Sequence, residues 1–274
     1  MHGITLDDIK IKGLPAGQPD HVEVLDISNT KTVQIGYQAE TLYLYPAEDD
    51  KLTIKEFTGG LSGSEYYAKV SSSRFKTTVR YGRRETVNTD TCVEIYIPKD
   101  FHNELQLSSQ YGSIITESDW VFERFAAETT EGTIYLKTIE APRIRLASSV
   151  GTIQIDHSIG FTDIHSVSGI IIAKQIDGGG KLNTSDSPIL AEFTSLNTVV
   201  ECESLNGPIS IRLPEDTGMK IDAISKRGEI TSNIEGLNHK MKPGNVRTAS
   251  GVLGTKPFQN VRLNNINGSI TITI

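Results

Sequence analysis

Cysteine is almost missing from this sequence: Cys92 and Cys202 are all there is among 274 residues. Two cysteines cannot by themselves build a structural zinc site, and nothing in their context supports a disulfide. Cys202 falls in an apolar column, where a small thiol fits, and Cys92 stands among polar neighbours at the start of a strand. No apolar run is long enough to cross a bilayer as a helix, and neither heptads nor a helical stripe occur, so membrane insertion by this chain is not expected. Basic charge is short as well. A formal charge of −7 and a pI near 5.4 argue against a nucleic-acid partner, which needs clustered Lys and Arg. The local exception, "RYGRRE" with Arg80, Arg83 and Arg84, reads as a charged hairpin tip between "FKTTV" and "TVNTDT". Aromatic residues are 7% of the chain and Trp120 is the only tryptophan, which leaves no extended sugar-binding stripe in view. A Gly-rich phosphate loop, an HExxH pair and a Ser-His-Asp order signal are all missing, so the reading has no catalytic residue, metal or cofactor. The opening "MHGITLDDIK" has neither the basic nor the apolar segment of an export signal. The expectation is a cytoplasmic protein, or a cell-surface one if the chain is a trimmed piece of an exported precursor.

What the sequence has is a repeat. "SSQYGSI" places Ser109, Gly112 and Ile114 at fixed offsets, and the same pattern returns as Thr129/Gly132/Ile134, Ser148/Gly151/Ile153 and Ser166/Gly169/Ile171. It continues as Thr184/Ser187/Ile189, Ser204/Gly207/Ile209, Ser225/Gly228/Ile230, Thr248/Gly251/Leu253 and Asn265/Gly268/Ile270. Marker positions are spaced by 20, 19, 18, 18, 20, 21, 23 and 17 residues. A period near twenty predicts a solenoid whose rungs are single supersecondary units.

Further columns give the local structure. Five positions before the marker stand Leu107, Ala127, Leu146, Ile164, Leu182, Cys202, Ala223, Val246 and Leu263, with mostly polar residues between the apolar ones. Period-two alternation predicts half-buried strands on either side of a tight corner. An unbroken isoleucine column fits a parallel ladder, in which equivalent residues stack on one another, so Ile134, Ile153 and Ile171 should be neighbours. Glycine at the corner is expected to supply positive φ, at Gly132 and Gly151 above all. The hydroxyl column is expected to satisfy loose backbone groups and to bond from rung to rung.

The predicted fold is therefore all-β: a single-stranded parallel β-helix, right-handed, with rungs of about 20 residues. Residues 1–90 alternate like strands but lack the glycine marker, and are read as an antiparallel capping region; residues 91–274 are the repeat region of one continuous unit. Within the chain, "IPKDFHNELQLSSQYGSI" (97–114) aligns without gaps on "LPEDTGMKIDAISKRGEI" (213–230). Pro98 and Pro214 end their strands, and Asp100 and Asp216 are placed to cap the turn that follows.

A strand ending in Leu/Ile-Pro, an acidic residue, then apolar alternation into Ser-x-x-Gly-x-Ile resembles the bacterial "putative adhesin" β-strand-repeat family. The resemblance covers about residues 90–274 well and the preceding strands loosely. It implies a parallel β-helix and a role in surface adhesion or envelope-linked interaction, and it brings no catalytic residues. The reading is a non-enzymatic structural or binding module with a protein or glycan partner. The alternative is a β-helix carbohydrate enzyme, a polysaccharide lyase or hydrolase, for which "IDHSIGFTDIHS" offers Asp156, His157, Asp163 and His165. For binding, "ESDWVFERF" is an insertion between rungs whose Trp120 and Phe122 have no assigned place in the core, so they are the expected partner contacts.

Overall fold

A computed structural model of the chain describes residues 17–83 and 91–274. Its strands are β1 (His21–Leu25), β2 (Thr32–Tyr37), β3 (Thr41–Pro46), β4 (Leu52–Phe57), β5 (Lys69–Ser72), β6 (Lys76–Arg80) and β7 (Cys92–Ile97). There follow β8 (Glu104–Ser109), β9 (Ile114–Val121), β10 (Arg124–Thr129), β11 (Ile134–Ser148), β12 (Ile153–Ser166), β13 (Ile171–Thr184) and β14 (Ile189–Ser204). The last are β15 (Ile209–Arg212), β16 (Met219–Ser225), β17 (Ile230–Ser232), β18 (Asn238–Lys242), β19 (Val246–Leu253), β20 (Gln259–Asn265) and β21 (Ile270–Thr273). The fold is all-β and solenoid-like.

The strands form two ladders that enclose one core. In the first ladder, the segment before each corner pairs in parallel with its counterpart, in the order β6, β2, β8, β10, then the second halves of β11 to β14, then β20 and β16. In the second, the segments after each corner follow as β7, β3, β9, the first halves of β11 to β14, β15, β21 and β17. Equivalent isoleucines pair along the second ladder from Ile114 through Ile134, Ile153, Ile171, Ile189, Ile209 and Ile270 to Ile230, as the column predicted. A single buried cluster runs from Ile27 to Ile272, so the strands before residue 90 share the core of the repeats.

The corner glycines are explained differently from the expectation. Gly132 and Gly151 do not have positive φ, and neither does Gly169 on the next corner. In the described residues that conformation falls instead at such positions as Gly160 and Gly178, on the opposite bend, where the two are in register. A Cβ on Gly132 would lie 1.9 Å from the Gly112 carbonyl oxygen, and one on Gly151 would lie 1.8 Å from that of Gly132. One on Gly169 would lie 1.9 Å from that of Gly151, so contact rather than torsion fixes this position as well. Real Cβ atoms do not approach so closely, so the marker is glycine because one corner sits directly on the next.

Where the column's hydroxyls bond, they bind backbone rather than each other, and Ser148 Oγ and Ser204 Oγ are buried without a partner. Thr129 Oγ1 donates to the Gly112 carbonyl at 3.1 Å and accepts the Gly132 N–H at 2.9 Å. Ser109 does the same between Glu40 O and Gly112 N–H, at 2.9 and 3.1 Å. Ser166 accepts the Gly169 N–H at 2.9 Å. Asn265 fits the column because its amide supplies both functions, donating to Gly207 O at 2.7 Å and accepting the Gly268 N–H at 2.6 Å. A unit that does both is a staple between adjacent rungs.

Three further findings concern the ends of the stack, two of them corrections. The rungs do not stack in chain order at the ends: β2–β3 lies between β6–β7 and β8–β9, and β20–β21 lies between β14–β15 and β16–β17. The capping region is antiparallel only through β1, β4 and β5, because β2, β3, β6 and β7 carry the same two-ladder pattern as the repeats. Gly251 is no corner; it lies inside β19, which runs antiparallel to β16 and pairs it with Ile221. Of the basic hairpin tip, Arg80 ends β6, and Arg84 lies outside the described residues.

Candidate binding face

Alternation decides which side chains leave the core. In "TLYLYP" Leu42 and Leu44 point inward, at 0% and 1% exposure, which sends Tyr43 and Tyr45 to the outer side of the second ladder. In "CVEIYI" Val93, Ile95 and Ile97 are buried, so Glu94 and Tyr96 point outward. Ile134 and Leu136 bracket Tyr135 in the same way, and Ile153 and Ile155 bracket Gln154. Parallel register then puts Tyr45 beside Tyr96, and orders Tyr43, Ile115, Tyr135 and Gln154 across successive strands.

The result is an aromatic face with polar groups at its edges. Tyr43, Cys92 and Ile115 form its buried floor, with Tyr45, Phe57 and Tyr135 packed against it and half-exposed. The rings of Tyr45 and Tyr96 are 5.4 Å apart and tilted by 34°. Lys55 Nζ sits 4.2 Å from the centre of the Tyr96 ring, a cation–π geometry, and 4.0 Å from Glu94 Oε2. Tyr96 donates its hydroxyl to Glu94 at 2.9 Å, and Tyr135 donates to Asp156 at 3.0 Å. Asp156 also accepts from Gln154 Nε2 at 2.9 Å and pairs with Lys174 Nζ at 2.9 Å. Burial works against the Asp156 charge, but Gln154, Lys174 and Tyr135 outweigh it and hold the carboxyl below its ordinary range. Burial, aided by these carboxylates, pushes the phenols of Tyr45, Tyr96 and Tyr135 up to about 12, so they stay neutral donors. Gln154 is 3% exposed, and its Oε1 is buried without a hydrogen-bond partner.

The residues expected to contact a partner are elsewhere and are buried. Trp120 and Phe122 are 6% and 2% exposed. The first part of the insertion is the end of β9, paired with β11 so that Trp120 sits in register with the buried Ile139. Trp120, Phe122 and Phe125 stack in series at 5.8 and 5.7 Å, Phe101 packs edge-on at 6.5 Å, and the indole N–H donates to Thr116 Oγ1 at 2.8 Å. These rings are core, because a continuing strand and a ready hydroxyl satisfy them inside.

Asp156, His157, Asp163 and His165 are not brought together as a cluster. Asp156 belongs to the second ladder, whereas Asp163 and His165 belong to the half of β12 in the first. Asp163 is 3.7 Å from Arg143, in a row that alternates in charge through Lys181, Glu201 and Arg262. His165 borders a groove of about 420 Å3 with Asn183, Glu203 and Asn264. Among the described residues no group of three or more His, Cys, Asp or Glu is placed to hold a metal ion. Cys92 and Cys202 are both buried free thiols. No helix among the described residues is long and apolar enough to cross a membrane. The tyrosines were missed because they are few. A phase test would have found them: tyrosine standing between inward Leu or Ile residues, in "YLY", "IYI" and "IYL".

Two ladders around one core, with staples between rungs, define an all-β protein of solenoid-like fold. The chain belongs to the Toastrack DUF4097 family, whose model matches residues 29–273. A search of curated proteins finds no match. Among solved structures, a "putative adhesin" from Parabacteroides distasonis ATCC 8503 is 10% identical, covers 93% of this chain and 96% of its own, and has a TM-score of 0.53. A second "putative adhesin", from Parabacteroides merdae ATCC 43184, is 10% identical over 94% of this chain and 97% of its own, with a TM-score of 0.47. A "putative lipid binding protein" from Parabacteroides distasonis ATCC 8503 is 13% identical over 94% and 98%, with a TM-score of 0.45. At such identities the likeness speaks for the fold, and only the first of the three is near enough to do so. The family and the first of these neighbours agree with the resemblance drawn from the repeat residues.

Proposed function

We propose that this chain is a non-enzymatic binding module of the adhesin type, working at the cell envelope through the tyrosine face of its second ladder. The observation that carries the reading is the set of outward tyrosines on β3, β7 and β11, Tyr45 beside Tyr96 in one register and Tyr43 with Tyr135 in the next, on strands paired on both sides. The core does not need aromatic rings there, whereas tyrosine gives large contact area with little conformational entropy to lose. The name of the structural neighbour with a TM-score of 0.53, a "putative adhesin", points the same way. We further take the winding to be right-handed, the hand that strand–crossover–strand connections favour. The rival reading, a polysaccharide lyase or hydrolase, has less support: Asp156 is engaged by Lys174, Gln154 and Tyr135, and lies on a different ladder from Asp163 and His165. In the test, the purified chain is passed over immobilised bacterial envelope material and separately incubated with a polysaccharide panel. Retention without turnover is the expected result. Turnover that Asp156→Asn or His165→Ala abolishes would establish the enzyme instead.

A further inference from the structure

We propose that the ligand of this face is a neutral, extended carbohydrate chain laid along the stack, an inference that rests on the binding-module reading. Rows of aromatic rings on a sheet match the apolar faces of sugar rings, and here five successive strands, β7, β3, β9, β11 and β12, supply Tyr96 beside Tyr45 in one register and Tyr43, Ile115, Tyr135 and Gln154 in the register two residues before it. Strand spacing makes that strip about 19 Å long, a track rather than a pocket.

The polar rim selects the chemistry. Sugar hydroxyls recognise planar carboxylate and amide groups, and Glu94, Asp156 and Gln154 stand at the ring edges. Gln154 Oε1 is the independent sign of a missing donor. Buried acceptors are nearly always paired, and this one, beside Tyr135 in the row, has no partner. A hydroxyl donor would complete it; a carboxylate would not. Charge argues for neutrality: Lys55 and Lys174 pair with Glu94 and Asp156, and Lys137 pairs with Asp119, so the strip has no unpaired cation among these lysines with which to attract an acidic polymer. A protein partner would use the same rings but would want a wider apolar area than a strip bordered by ion pairs.

The probes are hexasaccharides of glucose, mannose and N-acetylglucosamine, with polygalacturonate as the acidic comparison, titrated into the intact chain and followed by calorimetry. At least one neutral hexasaccharide should bind. Tyr45→Ala with Tyr96→Ala should weaken it by roughly tenfold or more, the scale of losing two ring contacts. Gln154→Leu should weaken it less, and Tyr135→Phe, a gentler change, covers the case in which the double variant fails to fold. Emission of the buried Trp120 should stay unchanged in every variant that folds. Failure of all neutral hexasaccharides to bind, binding of polygalacturonate alone, or affinity indifferent to the tyrosines would each overturn the assignment. Envelope retention that persists in the tyrosine variants and is not competed by these sugars would reject the carbohydrate while sparing the binding module. Loss of retention by the unaltered chain would reject both.

Discussion

The two ends of the stack solve the same problem with different sequences. At each end the chain's terminal rung is not outermost: β2–β3 is held between β6–β7 and β8–β9, and β20–β21 between β14–β15 and β16–β17. To achieve this the chain must pass over a whole rung, once between Ile97 and Glu104 and once between Leu213 and Met219. Those crossings are the two segments that align with each other, "IPKDFHNEL" and "LPEDTGMKI". Proline ends the strand before each crossing, since it cannot donate into a further ladder. The ends differ at their corners. The inner C-terminal rung keeps the marker, as Asn265 and Gly268, whereas the inner N-terminal rung has Glu40 at its corner. A Cβ on Gly112 would meet Glu40 O at 2.0 Å, and one on Gly228 would meet Gly268 O at 1.9 Å. Glycine is demanded of the corner that rests on another, and Glu40 is the support on which the column begins. Its own side chain folds back, accepting from the Gln38 and Ala39 N–H groups at 3.2 and 2.9 Å.

The largest expected effect comes from removing an inner rung. A chain ending at residue 258 loses Val261, Leu263, Ile270 and Ile272, each fully buried, and leaves β14 and β16 without the strand that joins them. It should give no soluble protein with a cooperative thermal transition. Among the described residues, starting the chain at Asp26 removes β1, an edge strand with Val22 and Val24 about half exposed, together with the Asp20–Thr58 and His21–Glu56 contacts, and should leave that transition in place. Equal tolerance of both truncations would show that intercalation does not lock the stack.

Next in size is Phe122→Ala, beside the N-terminal crossing. Its ring stacks between Trp120 and Phe125 and meets Phe101 of the crossing itself, so its loss should cost about 3–5 kcal/mol in urea unfolding. An unchanged midpoint would return these aromatics to the surface. Gly151→Ala should cost about 2–3 kcal/mol, because backbone must move to admit the methyl group. Ser187→Gly should cost about 1 kcal/mol or less, since that corner already carries a side chain, whose hydroxyl donates to Ser168 O. At the C-terminal end Asn265→Ala should cost about 1–3 kcal/mol by leaving Gly207 O and the Gly268 N–H unpaired, and Asn265→Ser should recover part of it.

How much of this could be read from the residues differs by feature. The Ser-x-x-Gly-x-Ile marker gave period, strand phase and ladder register, because each marker residue answers to the rung next to it. Positive φ at Gly132 was wrong because a sequence shows that a side chain is excluded, not whether torsion or a neighbouring carbonyl excludes it. Intercalation was hidden because "NINGSI" is the same unit wherever it is inserted; only the repeated crossing, 97–104 and 213–219, marked the departure from order. Trp120 and Phe122 were misplaced by treating an insertion as a loop when β9 runs on through Val121 and Phe122 turns its ring into the core directly after it. The tyrosine face escaped notice because three strands distant in the chain supply it, and only register brings them side by side.

The smallest expected effect is a pH dependence shared between the ends. Burial pushes the Cys92 thiol, in β7 near the N-terminal end, up to about 12 from an ordinary value of 9.0, with Glu94 adding to it. Burial also pushes up the Cys202 thiol, in β14 toward the other end, with Glu203 contributing. Tyr45, Tyr96 and Tyr135 rise to about 12 from 10.0. In each case the folded state keeps a proton that the unfolded chain releases. The unfolded chain therefore binds fewer protons at high pH, and stability must fall as pH rises. For the thiols the fall begins near pH 9 and ends near 12 at Cys92; for the tyrosines it begins near 10. Below pH 9 these groups contribute no slope. Urea midpoints measured at pH 7, 8, 9.5 and 10.5 should show a nearly flat first interval, a decline in the second and a steeper one in the third. Cys92→Ala and Cys202→Ala should each make the decline shallower, whatever they do to the midpoint at pH 8. Native alkylation by iodoacetamide at pH 8 should be slow at both thiols, since the thiolate is the nucleophile. If Cys92 reacts quickly while Cys202 does not, the N-terminal end opens locally without global unfolding, and its inner rung is the weaker of the two clasps.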